Sequence, residues 1–258
     1  TLFAGFQSAT MGGLRPANNP YQSDKKAIAE VYARISQETF DQAVQENVDE
    51  FGMDAEEALA DAIEQFETQG VNLSNVVKRV PGAPAEDDPP AIVAVRTLKD
   101  ALAAAGESDE AEDEVLEEKF GTGMLKLTFF KCDAEMAVRV TEAAAALRTE
   151  CQRDKEQITL VVHNGAVDAL VAGCLSLISI AAALPPVLES LAVVLGDAEA
   201  REQLGVRGIC ALMATLRRHE NNTAVLTAGL HAVRAGMLVH ETQRQQFVGS
   251  AGVLKLGA

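Results

Sequence analysis

The chain has 258 residues, of which 48% are hydrophobic but only 4% aromatic, and its formal charge is −16. This charge argues against a nucleic-acid surface, which needs a footprint of Lys and Arg, and against binding to anionic membranes. Because the apolar residues are mostly Ala, Leu and Val, they favour close packing of helices over sheets. We therefore predict an all-α protein.

The first ninety residues predict an arm, a small helical module and a linker. Residues 1–22 contain two prolines and no acidic residue, a composition typical of an irregular arm. Residues 23–80 carry apolar residues at helical spacing, with Gly52 ending one helix and Asp54 capping the next. The prolines and acidic residues of 81–90 predict a linker whose carboxylates are solvated.

An acidic block follows, in which eight of the twelve residues from 107 to 118 are Asp or Glu. Two interpretations of this block remain open. Charge blocks are usually solvated, which predicts a loop that leads into a charged helix face. Alternatively, the block is a docking patch for a basic protein partner. The candidate docking residues are Glu110, Glu112, Asp113 and Glu114.

A glycine followed by an apolar helix start recurs with a period in the forties. Gly165, Gly208 and Gly252 are 43 and 44 residues apart, and a fainter copy at Gly123 lies 42 residues before the first. Such a period is the signature of stacked helical repeats, in which each repeat contacts only its neighbours. We therefore expect repeats over residues 91–258, in an array that continues beyond residue 258.

Three segments resemble the armadillo repeat, a unit of one short helix, a glycine turn and two longer helices. They are Gln157–Val171, Arg201–Leu212 and Arg244–Leu256. The runs at 34–41, 64–78 and 240–244 make the chain similar to the family of armadillo repeat-containing protein six and its eukaryotic relatives. The resemblance implies a right-handed armadillo-type solenoid preceded by a small helical module. It also implies a non-catalytic scaffold for protein–protein interaction.

The resemblance further indicates where a protein partner would bind. Typical armadillo domains carry an Asn on the third helix of each repeat, which pairs with the backbone of an extended peptide. The corresponding residues here are Thr149, Val193 and Ala232, so the Asn ladder is absent and capture of nuclear-import signals by that route is not expected. We expect this surface to bind through apolar or arginine contacts. Arg148 and Arg234 are the candidates, and the alternative is that both are ordinary solvated residues.

No constellation of residues predicts catalysis or a bound cofactor. The carboxylates lie in solvated runs, no phosphate loop or nucleophile motif is present, and the four His do not fall at metal-ligand spacing. We therefore expect no enzyme activity, no cofactor, no metal and no small-molecule substrate. One alternative to the scaffold remains open, namely a permanent structural subunit of a larger cytoskeletal or ciliary assembly.

The cysteines indicate the cellular compartment of the protein. Four single cysteines, at positions 132, 151, 174 and 210, predict neither a zinc site nor disulfides and favour a reducing compartment. We expect a cytoplasmic protein, with the cilium and the nucleus as open alternatives.

The uncharged stretch from Ala169 to Leu188 is long enough to span a bilayer. Because Pro185 and Pro186 interrupt it, we predict a buried helix of the repeats and no membrane span.

Overall fold

The computed structural model describes residues 34–82, 88–106, 113–120, 123–130 and 132–237, together with residue 245. Several expectations fall outside these residues. They concern the arm at 1–22, the start of the N-terminal module, the docking residues Glu110 and Glu112, the motif at Gly252 and the continuation of the array.

Helices α1 (Gln37–Phe51) and α2 (Ala55–Thr68) pack together around a small core of their own. Gly52 adopts a φ of 65° directly after α1, where a left-handed residue ends a helix. The Asp54 side chain accepts hydrogen bonds from two backbone N–H groups of α2, at 3.1 and 2.9 Å. Both caps confirm the predictions from the sequence. The buried residues of this core are Phe40, Val44, Ala58, Ala62, Leu73 and Val76.

The segment that follows α2 packs onto these helices without forming a helix itself. The Gln37 side chain binds both polar groups of the Val77 backbone. Its carbonyl oxygen accepts from the Val77 N–H at 2.7 Å, and its amide donates to the Val77 carbonyl at 3.1 Å. Asn75 donates to the Ile35 carbonyl at 2.6 Å. Side-chain amides thus satisfy backbone groups that an irregular segment would otherwise leave unpaired.

Asp88 is buried, although we expected the acidic residues of the 81–90 linker to be solvated. Its side chain is 1% exposed, and its carboxylate accepts from the guanidinium groups of Arg79, at 2.5 Å, and of Arg96. The burial is tolerated because the two cations replace the water that an isolated carboxylate requires. Helix α3 (Pro90–Gly106) begins two residues later.

A β-hairpin follows α3. It consists of the antiparallel strands β1 (Asp113–Phe120) and β2 (Gly123–Phe130), with Leu116 opposite Leu127. This hairpin corrects two expectations. Residues 113–118 of the acidic block form a strand instead of a loop or helix face, and Gly123 begins a strand instead of a repeat helix.

The sequence of β2 explains why it is a strand. Leu127 and Phe129 are buried, whereas Lys126 and Thr128, which directly precede them, are exposed. This alternation has a period of two, which matches the pleat of a strand and not the turn of a helix.

The remaining helices form stacked repeats in two layers. Helices α3, α6 and α8 pack successively against one another, and α4, α7 and α9 form the second series. A continuous core of Leu, Val and Ala side chains lies between the layers. The predicted helical, armadillo-type fold class is therefore confirmed, and the hairpin is an addition to it. The bounds are α4 (Ala134–Arg153), α5 (Glu156–His163), α6 (Ala166–Ser176), α7 (Leu184–Val194), α8 (Ala198–Arg218) and α9 (Thr223–Met237).

The repeat glycines occupy two different kinds of position. Gly165 has a φ of 76° in the turn between α5 and α6, as the sequence predicts. Gly208, in contrast, lies inside α8, and the break in that helix falls at Gly205, which has a φ of 51°. Gly208 is needed for space, since a Cβ atom there would overlap the Leu204 side chain.

Candidate interaction surface

The predicted partner-binding residues of the repeats lie on α4, α7 and α9, the helices of one layer. The buried hydroxyl of Ser190, on α7, donates to the Ala144 carbonyl of α4 at 2.6 Å. On α9, a Cβ atom placed on Gly229 would lie only 2.6 Å from Cδ2 of Leu216, so glycine at this position lets α9 pack closely against α8 of the other layer. Helix α7 packs against both α4 and α9, so the three helices lie side by side.

Arg148 and Thr149 lie where α4 meets α7. The Arg148 guanidinium forms an ion pair with Glu189 of α7 and stays partly exposed. Thr149 is exposed, and its hydroxyl donates to the carbonyl of Ala145 in its own helix at 2.9 Å. Val193 is partly exposed on α7. The structure therefore places these predicted residues on two adjacent helices of one layer.

Helix α9 presents a set of residues that differs from the predicted one. Ala232 is fully buried, so its side chain has no surface through which to contact a partner. The helical period instead exposes Leu230, which is 43% accessible, together with His231 and Arg234. The predicted residues of this layer that reach solvent, together with Glu189 and Leu230, are named the third-helix surface below; they are Arg148, Thr149, Glu189, Val193, Leu230 and Arg234.

The third-helix surface combines two arginines, one glutamate and aliphatic side chains. Arginine and apolar side chains are typical of protein interfaces, where an apolar centre is surrounded by a polar rim. Val193 and Ala232, at two of the predicted ladder positions, have no polar side-chain group with which to pair a peptide backbone.

Only the second half of the acidic block belongs to the described residues. Asp113 and Glu114 are the first two residues of β1. Val115 is 55% exposed, and Glu117 forms an exposed ion pair with Lys126 of β2 at 3.3 Å. This side of the hairpin is accessible to solvent, and its role in docking a basic partner stays a prediction.

The four cysteines are free and buried. Burial raises the pKa of Cys132 to about 11 and that of Cys151 and Cys174 to about 12, and it also raises the pKa of Cys210. The thiolate, which is the nucleophilic form, is therefore disfavoured at neutral pH. Among the described residues, no group of three or more His, Cys, Asp or Glu side chains could hold a metal ion.

In the part of the chain that the structure describes, no single helix has both the length and the apolar character needed to cross a membrane. Helices α5 and α6 meet those criteria only as a pair, and that pair is bent by 73°. The uncharged stretch from Ala169 to Leu188 is divided between α6 and α7, with turns between them.

An ionic contact that the sequence analysis missed ties the N-terminal segment to the repeats. The Oε2 atom of Glu199, in the first turn of α8, lies 3.2 Å from Nη1 of Arg34 and 3.0 Å from Nε2 of His163. The side chains of Arg34 and Glu199 are only 11% and 20% exposed. No local spacing signals this contact, because the three residues come from distant parts of the chain.

Comparison with known proteins agrees with this architecture. Residues 32–117, which include α1, α2 and α3, match the family model described as the armadillo repeat-containing protein 6 N-terminal domain. Armadillo repeat-containing protein 6 from Pongo abelii and from Homo sapiens are each 33% identical to the chain over 228 residues. That alignment covers 88% of this chain and 40% of each relative. The Drosophila melanogaster homolog is 33% identical over 137 residues, which is 53% of this chain and 24% of the homolog.

No solved structure matches the chain. The chain spans about 40% of the length of the curated Pongo and human relatives, so the alignment describes one part of those proteins. The resemblance predicted from the sequence is confirmed: the chain is similar to armadillo repeat-containing protein 6, and its residues 32–117 match the N-terminal domain of that family.

Proposed function

We propose that this chain is a non-catalytic scaffold that binds a protein partner through the third-helix surface. The observation that supports the proposal most directly is the side-by-side packing of α4, α7 and α9, which turns three short helix faces into one continuous layer. Armadillo repeats stack into extended surfaces of this kind, and such surfaces serve binding. The family to which the chain is related is one of repeat proteins of this type.

The partner we propose is a protein and not a nucleic acid or an anionic membrane. The formal charge of −16 opposes a phosphate-rich ligand. On the third-helix surface, the positive charge of Arg148 is already balanced by its ion pair with Glu189. Arg148 can therefore donate hydrogen bonds to a protein partner, but it adds little net attraction for phosphate groups. Leu230 and Val193 supply the apolar area that a protein interface needs.

Comparative affinity capture from native cells tests this proposal. Wild-type chain is compared with Leu230→Asp and Arg234→Ala, which change the third-helix surface, and with Val93→Asp and Arg218→Ala, which place matched changes on the exposed faces of α3 and α8. We expect quantitative proteomics to show proteins whose capture falls at least fivefold with the first pair and stays unchanged with the second. Equal capture by all variants, with unchanged circular dichroism, would exclude this surface as the binding site.

A second measurement distinguishes the scaffold from the alternative, a permanent structural subunit of a larger assembly. A scaffold exchanges its partner, so the chain should be extracted from cells by mild salt and should elute as a monomer in size-exclusion chromatography. Retention in the insoluble fraction, or elution only inside a large assembly after the salt wash, would favour the subunit.

A further inference from the structure

The first strand of the β-hairpin pairs with another strand along one edge only. In the part of the chain that the structure describes, β1 pairs with β2, and the sheet has no third strand. In an antiparallel strand, about every second residue points its backbone N–H and C=O away from a given neighbour. The side of β1 opposite β2, named the outer edge below, therefore carries a row of backbone donors and acceptors to which an extended segment of another protein can add a strand.

The packing of the hairpin makes β1 the more accessible of the two strands. Helix α8 contacts both strands, whereas α6 packs against β2. Leu127 and Phe129 of β2 are buried, whereas Val115 and Glu117 of β1 are exposed. Because β2 is the strand beside α6, the outer edge of β1 lies on the side of the hairpin that faces away from that helix.

The charge of β1 limits which strand can pair with its outer edge. Four of the eight residues of β1 are acidic and one is Lys, so the strand has a net negative charge. Its ion pair across the hairpin, from Glu117 to Lys126 at 3.3 Å, balances only one of these acidic residues. Opposite charges on neighbouring strands stabilise a sheet, and like charges directly opposite each other destabilise it. The outer edge therefore favours a strand that carries Lys or Arg.

A second copy of this chain is a poor partner for the same edge. If two β1 strands paired antiparallel and symmetrically about Val115 and Leu116, each of their four acidic residues would oppose another acidic residue. This repulsion opposes pairing between copies, while the same charges attract a basic strand. The occupant is thus a segment of a different protein.

We propose that the outer edge of β1 binds a basic, extended segment of a partner protein as a third strand of this sheet. Backbone hydrogen bonds hold the segment, and its Lys or Arg side chains lie beside the acidic residues of β1. The acidic composition predicted only the charge of such a partner, and the strand supplies the backbone groups that select an extended one. This site is separate from the third-helix surface, so its loss would leave binding to that surface unchanged.

Fluorescence anisotropy on the full chain tests the proposal with a fluorescein-labelled peptide that alternates Lys and Val over about ten residues, enough to cover β1. Two control peptides change one property each. N-methylation of alternate amides keeps the charges but removes backbone pairing, and we expect it to weaken binding about tenfold or more. The peptide with Glu in place of Lys should not bind. Equal affinity for the N-methylated peptide would show that β1 attracts any cationic chain, and would overturn strand pairing.

A charge-swapped variant then locates the peptide on β1. Glu117→Lys combined with Lys126→Glu keeps the ion pair and the net charge of the hairpin but moves one negative charge from β1 to β2. We expect binding of the Lys–Val peptide to weaken about fivefold. The matched control is Glu67→Lys combined with Lys78→Glu, which swaps another exposed ion pair and should leave affinity unchanged.

Hydrogen exchange gives an independent measurement on the wild-type chain. Bound peptide should slow the exchange of those β1 amides that point away from β2, because they then donate to the added strand. Circular dichroism confirms that each variant is folded. No binding of the Lys–Val peptide, or binding that leaves the exchange of β1 unchanged, would overturn the proposal and leave the acidic residues as solvated charges that keep the edge unpaired.

Discussion

Arg34 and Glu199 are 165 residues apart in the chain, yet Nη1 of the arginine lies 3.2 Å from Oε2 of the glutamate. The same oxygen lies 3.0 Å from Nε2 of His163, so one carboxylate joins the segment before α1, the end of α5 and the start of α8. The contact therefore links the segment before α1 to the repeats.

Replacing Glu199 with Gln should therefore destabilise the protein. The change removes the negative charge that two basic groups share while keeping the size of the side chain. We expect the free energy of unfolding to fall by about 1.5–3 kcal/mol, the range for hydrogen bonds to charged groups in partly buried positions. Urea denaturation followed by circular dichroism measures this loss. Glu67→Gln, which breaks the exposed pair with Lys78, should cost only about 0.2–1 kcal/mol, and equal losses would show that the Glu199 contact is not structural.

Asp88→Asn should be among the more damaging single changes in the N-terminal half. The buried carboxylate accepts from two guanidinium groups, and an amide would offer a donor where a second acceptor is needed. We expect a loss of about 2 kcal/mol or more in the free energy of unfolding, measured by urea denaturation. Asp49→Asn is the control, because Asp49 is an exposed acceptor on α1 and its change should stay within about 0.5 kcal/mol.

Ser190→Ala tests the packing of the helix layer. Ser190 is fully buried and its hydroxyl joins α7 to α4, so its removal should lower the free energy of unfolding by about 1 kcal/mol. Thr149→Ala removes a hydroxyl of the same kind that is exposed and bonds only within its own helix, so its effect should be close to zero. A larger effect of Thr149→Ala than of Ser190→Ala in thermal or urea unfolding would contradict this account.

The buried cysteines should resist alkylation in the folded protein. Their raised pKa leaves little thiolate at pH 8, and burial keeps reagent away, so iodoacetamide should label them only at the rate of unfolding. Thr149→Cys, at an exposed position, should be labelled rapidly in the same sample. Mass spectrometry of the four native sites gives the readout, and fast labelling of Cys174 without denaturant would show that the core opens.

The same pKa shifts give a dependence of stability on pH. The unfolded chain loses the Cys174 proton near its ordinary pKa of 9.0, whereas the folded chain keeps it up to about 12. This contribution is therefore fully present below pH 9 and is lost as the pH rises through 9 toward 12, by about 1.4 kcal/mol per unit for each such thiol. Urea denaturation of wild type and Cys174→Ala at pH 8 and pH 10 measures the difference, and equal pH dependence in both would contradict it.

Features governed by neighbouring residues were predictable from the sequence. Asp54 caps α2 as expected, and Gly165 adopts the left-handed conformation in the turn after α5, because each signal lies within a few residues of its effect. The helical class and the stacking also follow from periodicities that a single sequence shows.

Features governed by distant contacts were not predictable. The burial of Asp88 depends on Arg79 and Arg96, which only the folded chain brings to either side of it. Which residues of α9 are exposed depends on how the helix is rotated against α7. Matching positions by the repeat period alone predicted that Ala232 is at the surface, whereas in the packed structure it is buried. The contact of Glu199 with Arg34 and His163 likewise joins three separate parts of the sequence, so no motif could reveal it.

The β-hairpin has a consequence for how the array comes apart. It contacts α8, its second strand also contacts α6, and the N–H of Cys132 just after it donates to the Ser176 carbonyl at the end of α6 at 3.1 Å. Stacked units joined only to their neighbours can melt one at a time, as in a one-dimensional chain of coupled sites. The hairpin contacts both α6 and α8, so it couples two successive units of the stack. We therefore expect α6 and α8 to lose their hydrogen-exchange protection together, as one cooperative block.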